Sequence, residues 1–168
     1  VLDFPGADEI NHELIVRQVA HKRIIWACSW NPFGHEFATG SRDKTVKIWA
    51  VENASTIKQL MTRPSFKSSV TGLSWVGLGR QSNHGFLAVG MESGLIELWS
   101  LSCERSDNGN LMVPNATCVV QFDPFLCHAS PVSRLTWRPS EKIPDSKVIQ
   151  LASCGADHCV RVFNIDFL

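Results

Sequence analysis

His128, Ser153 and Asp157 have the side-chain types of a hydrolytic triad. In a triad an imidazole takes the proton of a hydroxyl nucleophile while a carboxylate orients the ring, and the hydroxyl must be exposed beside an oxyanion hole. Cys127, His128, Cys154, His158 and Cys159 offer the sulfur and nitrogen donors of a zinc site. They include no Cys-x-x-Cys pair, and a turn separates Cys154 from Cys159, whereas structural zinc sites prefer shorter spacings on loops. Lys22, Arg23, Arg42 and Lys44 could hold phosphate or an acidic protein surface if the fold gathered them.

An internal repeat gives the triad residues a plainer reading. Stretches 37–49, 87–99 and 151–163 align without a gap and end in Trp49, Trp99 and Phe163. Upstream of each lies a second matching piece: Cys28-Ser29-Trp30, Leu73-Ser74-Trp75 and Leu135-Thr136-Trp137. Nine residues before these tryptophans stand His21, Phe66 and His128. Histidine, hydroxyl and acid therefore recur as His21, Thr39 and Asp43, as a structural set does and a single catalytic site does not. Neither catalysis nor a bound metal is expected. The repeats run over approximately 14–50, 55–100 and 116–165, with a variable inserted loop at 101–115.

The elements that must position these residues are strands. Val46 and Ile48, Ile96 and Leu98, and Val160 and Val162 form apolar columns, with Lys47, Glu97 and Arg161 as a charged column between them. That is a period of two. Asp43-Lys44, Ser93-Gly94 and Asp157-His158 sit where a tight hairpin turn needs small or polar residues. Each repeat thus holds a hairpin of strands b and c, preceded by the tryptophan-bearing strand a. A weaker strand d is predicted before that, over 14–19, 56–61 and roughly 117–122. Helical periodicity is absent. Four antiparallel strands per unit of about 45 residues is a propeller blade. The fold class is all-β, a partial β-propeller of about three four-stranded antiparallel blades.

Composition narrows the function classes. The 168 residues carry 16 basic and 16 acidic side chains, for a formal net charge of zero. That argues against a whole-surface grip on nucleic acid or membrane, and leaves room for a local patch. No apolar run approaches the ~20 residues of a membrane-spanning helix. Six cysteines, Cys28, Cys103, Cys118, Cys127, Cys154 and Cys159, are expected to be reduced thiols packed as small hydrophobes in a cytosolic or nuclear protein. The sequons Asn53-Ala54-Ser55 and Asn115-Ala116-Thr117 would then go unused. The chain begins Val1-Leu2-Asp3-Phe4-Pro5, without an initiator Met or a signal sequence, and reads as an internal or C-terminal fragment of something longer.

Several phrases resemble the WD-repeat family of Elongator subunit two, in its C-terminal propeller. They are Arg23-Ile24-Ile25-Trp26 followed by Cys28-Ser29-Trp30, then Thr39-Gly40-Ser41-Arg42-Asp43-Lys44, then Ala88-Val89-Gly90-Met91-Glu92-Ser93-Gly94, and Cys154-Gly155-Ala156-Asp157-His158-Cys159-Val160-Arg161. In a WD-type blade a hydrogen-bonded chain joins a His in the d–a loop, a Ser or Thr on strand b, an Asp in the b–c turn and a Trp on strand c. The resemblance carries those roles to His21, Thr39, Asp43 and Trp49, and to His128, Ser153 and Asp157, with Phe163 lacking the indole N–H. The middle repeat has Phe66, Val89, Ser93 and Trp99, so its hairpin must rely on packing and on Gly94.

The resemblance also implies a function: a non-catalytic scaffold subunit, without cofactor, in cytoplasm and nucleus. Its partners would be the other Elongator subunits, namely the large scaffold subunit and the catalytic acetyltransferase subunit, in a complex that modifies wobble uridine in transfer RNA. The alternatives are a WD-repeat scaffold of another complex, or direct binding of transfer RNA on one blade rim. If His21 meets Asp43, Lys22, Arg23, Arg42 and Lys44 share that rim. The counterparts in the third repeat, Ala129, Ser130, Ala156 and His158, are not basic, so the patch is expected to be local to one blade. Stretches 105–110 and 139–147 read as surface loops. Trp26 shares the parity of Trp30 and is expected in the core or between blades.

Overall fold

Alternating apolar and charged residues before each closing aromatic do form strands, and the turns between them fix the register. A computed structural model describes residues 12–32, 34–52, 56–63, 66–77, 84–102, 115–139 and 148–166. The chain runs through β1 (Ile25–Trp30), β2 (Glu36–Ser41), β3 (Val46–Glu52), β4 (Thr56–Arg63), β5 (Val70–Gly77), β6 (His84–Met91), β7 (Ile96–Ser102), β8 (Asn115–Gln121), β9 (Val132–Trp137), β10 (Val148–Gly155) and β11 (Val160–Asp166). They form three antiparallel sheets in the orders β1-β2-β3-β4, β5-β6-β7-β8 and β9-β10-β11. Strands β1, β5 and β9 pack one against the next, so the sheets fan out as blades of a propeller that does not close.

The fourth strand of each complete sheet comes from the start of the following sequence repeat. Lys47 of β3 faces Thr62 of β4, and Glu97 of β7 faces Gln121 of β8. This pairing explains two departures from the sequence pattern. Residues 14–19 carry no strand, because no sheet among the described residues precedes them to offer an edge. The last sheet has three described strands instead of four for the corresponding reason at the other end.

The hairpins share one turn geometry. Lys44, Gly94 and His158 all adopt positive φ (64°, 88° and 61°), each following a turn closed by an i→i+3 hydrogen bond: Lys44 to Ser41, Gly94 to Met91, His158 to Gly155. A turn followed by one left-handed residue is a standard three-residue hairpin loop. Gly94 is required on a second count, since a Cβ there would lie 2.0 Å from the His128 carbonyl oxygen.

Two apolar layers lie between the sheets. Ile48, Val70, Leu73, Val89 and Met91 belong to one, and Ile96, Leu98, Val132, Leu135 and Leu151 to the other. Each such fully buried aliphatic side chain stabilises the fold by about 1.5–3 kcal/mol. Close approach of the sheets uses Gly40 and Gly90, where a Cβ would meet Val70 and Val132 at 2.5 and 2.6 Å.

The two outer faces stay open. Trp75 and Trp137 are each 7% exposed, covered by the preceding sheet, with Trp75 N–H donating to Ser29 Oγ and Trp137 Nε1–H to the Ser74 carbonyl. The equivalent Trp30 has no sheet before it among the described residues; it is 59% exposed and its ring lies 5.0 Å from that of Phe37. Trp26 is half-buried, displaced by a register shift between Ile25 and Ala27, so its parity with Trp30 does not put it in a core. The expectation of packed thiols fails at Cys28 and Cys159, which are exposed, whereas Cys127 is buried; all five described cysteines are free. Cys103, the sequon at 53–55, and residues 105–110 and 140–147 lie outside the described residues.

Candidate functional site

The loop entering each sheet and the turn between its second and third strands meet on one rim. In the first sheet, Trp49 Nε1–H donates to Thr39 Oγ1 at 2.8 Å. Thr39 Oγ1 lies 2.7 Å from His21 Nε2, and His21 Nδ1 lies 3.0 Å from Asp43 Oδ2. With its oxygen receiving the indole proton, the Thr39 hydroxyl can donate to Nε2, an arrangement that suits a neutral His21 giving its Nδ1–H to Asp43. Burial draws the His21 pKa below its ordinary 6.5 against the pull of Asp43. Burial pushes the Asp43 carboxyl up, but hydrogen bonds from Thr45, from His21 and from the Lys22 N–H outweigh it and hold the group at about 2.

The third sheet repeats the arrangement without its indole. His128 lies 2.8 Å from both Asp157 Oδ1 and Ser153 Oγ. Burial pushes Asp157 up, yet His128, the N–H groups of Ala129 and Cys159, and Arg161 hold it well below the usual carboxylate range. Phe163 packs edge-on against Phe122 at 4.9 Å. Ser153 is 3% exposed and its hydroxyl faces the ring, so it is not presented as a nucleophile. Among the described residues, no three His, Cys, Asp or Glu side chains converge as a metal site would require.

The middle sheet replaces the chain with different chemistry. Phe66 packs edge-on against Trp99 at 5.6 Å. Trp99 Nε1–H donates to Glu97 Oε2 at 3.0 Å, and Gln121 Nε2–H donates to Glu97 Oε1 at 3.1 Å. The Arg63 guanidinium lies 4.5 Å from the centroid of the Trp99 ring. Glu97 is 7% exposed, although its place in the charged column suggests a solvated side chain. The signal that could have identified it is the loss of a hydroxyl at Val89, which leaves the indole in need of another acceptor. A cavity of about 200 Å³ lies beside Trp99, and an open groove of about 490 Å³ beside His21 and Asp43.

Backbone bonds tie one rim to the next. The Phe66 N–H donates to the Lys44 carbonyl, and the His128 N–H to the Gly94 carbonyl. At the first sheet, Arg42 N–H donates to the Ile24 carbonyl and Ser41 Oγ–H to the Arg23 carbonyl, so the loop bearing Lys22 and Arg23 lies beside the turn bearing Arg42 and Lys44, and all four residues are exposed. The sequence reading misses Lys67 and Arg63, both exposed and both at the mouth of the Trp99 cavity. Because Phe66 is bonded to Lys44, the cationic rim continues from the first sheet to the second.

Residues 13–50 and 117–164 match the family described as WD domain, G-beta repeat; the middle repeat falls outside both matches. The chain is 54% identical over 160 residues to Elongator complex protein 2 of Arabidopsis thaliana, covering 95% of this chain and 19% of that protein. It is 37% identical to Elongator complex protein 2 of Dictyostelium discoideum, covering 88% of this chain and 17% of that one. The chain thus spans under a fifth of the length of these relatives. Among solved structures, U3-55K superimposes with a TM-score of 0.60 at 20% identity over 88% of this chain and 38% of that one, a likeness of fold. The WD40 repeats of RRP9 do so with a TM-score of 0.59 at 20% identity, over 88% and 37%.

Proposed function

The chain belongs to the WD40 repeat family, and on its likeness to Elongator complex protein 2 we propose that it serves as a non-catalytic scaffold segment of the Elongator complex. The observation that carries this reading is 54% identity over 160 residues, 95% of the chain. The chemistry supports it. The histidine, hydroxyl and acid of each complete repeat are consumed in tying a loop to a turn, and Ser153 is buried. What remains exposed is rigid rim, suited to holding other proteins in fixed relation. The partners in this reading are the large scaffold subunit and the acetyltransferase subunit. The assembly modifies wobble uridine in transfer RNA and is present in cytoplasm and nucleus.

Affinity purification of the protein at its full natural length, with mass spectrometry of what accompanies it, tests the proposal. Stoichiometric recovery of the other Elongator subunits is expected. Recovery of an unrelated set of proteins would overturn it in favour of a WD-repeat scaffold of another complex. A second reading, contact with transfer RNA, is favoured by the exposed Lys22, Arg23, Arg42 and Lys44 on one rim. Charge reversal at Arg42 and Lys44 that leaves low-salt RNA affinity unchanged would eliminate it.

A further inference from the structure

The cavity beside Trp99 is lined by Phe66, which stands where the first and third repeats have His21 and His128. Its walls are Phe66 and Trp99, its inner side is the Glu97 carboxylate, and its mouth carries Arg63 and Lys67. The Arg63 guanidinium lies over the Trp99 ring, 4.5 Å from its centroid, and neither Arg63 nor Lys67 makes an ion pair among the described residues. A guanidinium over an aromatic face can still offer its N–H fork, whose geometry matches a planar carboxylate. About 200 Å³ is room for one side chain, not for a folded element. The same mouth joins the rim of Arg42 and Lys44 through the Phe66-to-Lys44 hydrogen bond. On the second turn Glu92 is the neighbouring acid, and Ser69 engages it.

We propose that the Trp99 cavity and the adjoining cationic rim form one docking groove for an acidic polypeptide segment, with one carboxylate of that segment taken by Arg63 and Lys67. The inference deepens the scaffold reading, on which it rests, by naming the kind of partner the rim receives. Glu97 sets the depth: held by Trp99 and Gln121, its charge keeps an anion at the mouth and disfavours a phosphate dianion. Single-stranded RNA is disfavoured on a further ground. Such recognition stacks bases on open aromatic faces, and here Phe66 and Trp99 are each 7% exposed, with Arg63 already over the indole.

The test uses the protein at its full natural length and fluorescence anisotropy of two labelled probes in low salt, an oligoglutamate peptide and an oligouridylate. The peptide is expected to bind more tightly than the RNA. Arg63→Gln and Lys67→Glu are each expected to weaken peptide binding by about tenfold or more, and Arg63→Lys to recover only part of the loss. Lys67 is exposed and no side-chain bond among the described residues depends on it, so Lys67→Glu reads binding without a folding defect. No peptide binding, tighter binding of the RNA, or peptide binding indifferent to both Lys67→Glu and Arg63→Gln would overturn the inference. The two proposals fail separately. Elongator subunits recovered alongside Lys67→Glu and Arg63→Gln variants that both keep unchanged peptide affinity would overturn the groove and leave the scaffold. Peptide binding lost in Lys67→Glu with no Elongator subunit recovered would do the reverse.

Discussion

The first and middle sheets meet the same two requirements with different residues. In each, the closing tryptophan must place an indole N–H away from water, and the b–c turn must be tied to the loop beside it. The first sheet does both with one chain: Trp49 to Thr39, Thr39 to His21, His21 to Asp43. The middle sheet separates the tasks. Glu97 accepts the indole proton, while Ser68 engages Ser93 and Ser69 engages Glu92 at the turn. The charges are also exchanged. A cation from the same strand, Lys47, lies 5.6 Å from the Trp49 ring, whereas the cation over Trp99 is Arg63 from the neighbouring sheet. Polar interactions in the first sheet therefore bind a blade to itself, and those of the middle sheet help bind one blade to the next.

The difference is sharpest at the loop position. His21→Leu leaves the Thr39 hydroxyl and Asp43 without their shared partner, at an expected cost of about 2–4 kcal/mol. Phe66→Leu removes only packing against Trp99 and is expected to cost about 1 kcal/mol. Hydrogen exchange of the β2–β3 and β6–β7 amides reads both locally. Equal losses would break the comparison, because they would mean that the chain in the first sheet adds nothing beyond packing.

At the closing tryptophan the order reverses. Trp99→Phe strips a donor from a buried carboxylate, with an expected loss of about 2 kcal/mol, since bonds to charged groups are the stronger ones. Trp49→Phe strips a donor from a neutral hydroxyl that still has His21, and about 1 kcal/mol is expected. The third sheet already lives with this change, as Phe163 stands in that place. Thermal melting of both variants under one set of conditions decides the order.

Acid should separate the sheets as well. The folded pKa of His21 lies below 6.5, so the unfolded chain binds more protons and stability falls as pH drops below about 6.5. Asp43, at about 2 against an ordinary 3.8, contributes stability that is complete above 3.8 and lost as pH falls through about 2. Asp157 acts in the same sense in the third sheet. The middle turn has Ser93 in that place. Melting temperature is expected to fall in two steps, the first absent in His21→Leu and the second reduced in Asp43→Asn. A single step unaffected by either variant would contradict the assignment.

What is legible in the sequence is what is local. Hairpins β2–β3, β6–β7 and β10–β11 follow from alternation at Val46 and Ile48 and its counterparts, because strand faces and turns are set by near neighbours. The set His21, Thr39, Asp43 and Trp49 is readable because the repeat aligns it. What escapes depends on another sheet. Residues 14–19 have strand-like composition and, among the described residues, no edge to join. Trp30 has the sequence setting of Trp75 and, among the described residues, no sheet to cover it. Glu97 reads as solvated in a charged column, and only the packing of β4 and β8 around it makes it a buried acceptor. Lys67 neighbours the rim because the adjacent Phe66 N–H donates to the Lys44 carbonyl, a bond that no local pattern announces.

The smallest effect lies at the turns themselves. Lys44 and Gly94 hold the same left-handed place, φ 64° and 88°, and each carbonyl accepts the N–H of the next loop. A side chain in that conformation is strained, and glycine is not. Lys44→Gly therefore relieves strain in the folded first sheet while giving the unfolded chain more freedom, and the two nearly offset, leaving a net gain of about 0.5 kcal/mol or less. At Gly94 the reverse exchange has no such balance, because its Cβ would meet the His128 carbonyl at 2.0 Å. If Lys44→Gly instead costs stability in urea unfolding, the lysine side chain stabilises the rim enough to outweigh its backbone strain. The turns of the two sheets would then be unlike in energy as well as in sequence. If it is neutral to slightly stabilising while peptide binding weakens, Lys44 occupies a strained place for the sake of contact, as a rim that receives an acidic partner requires.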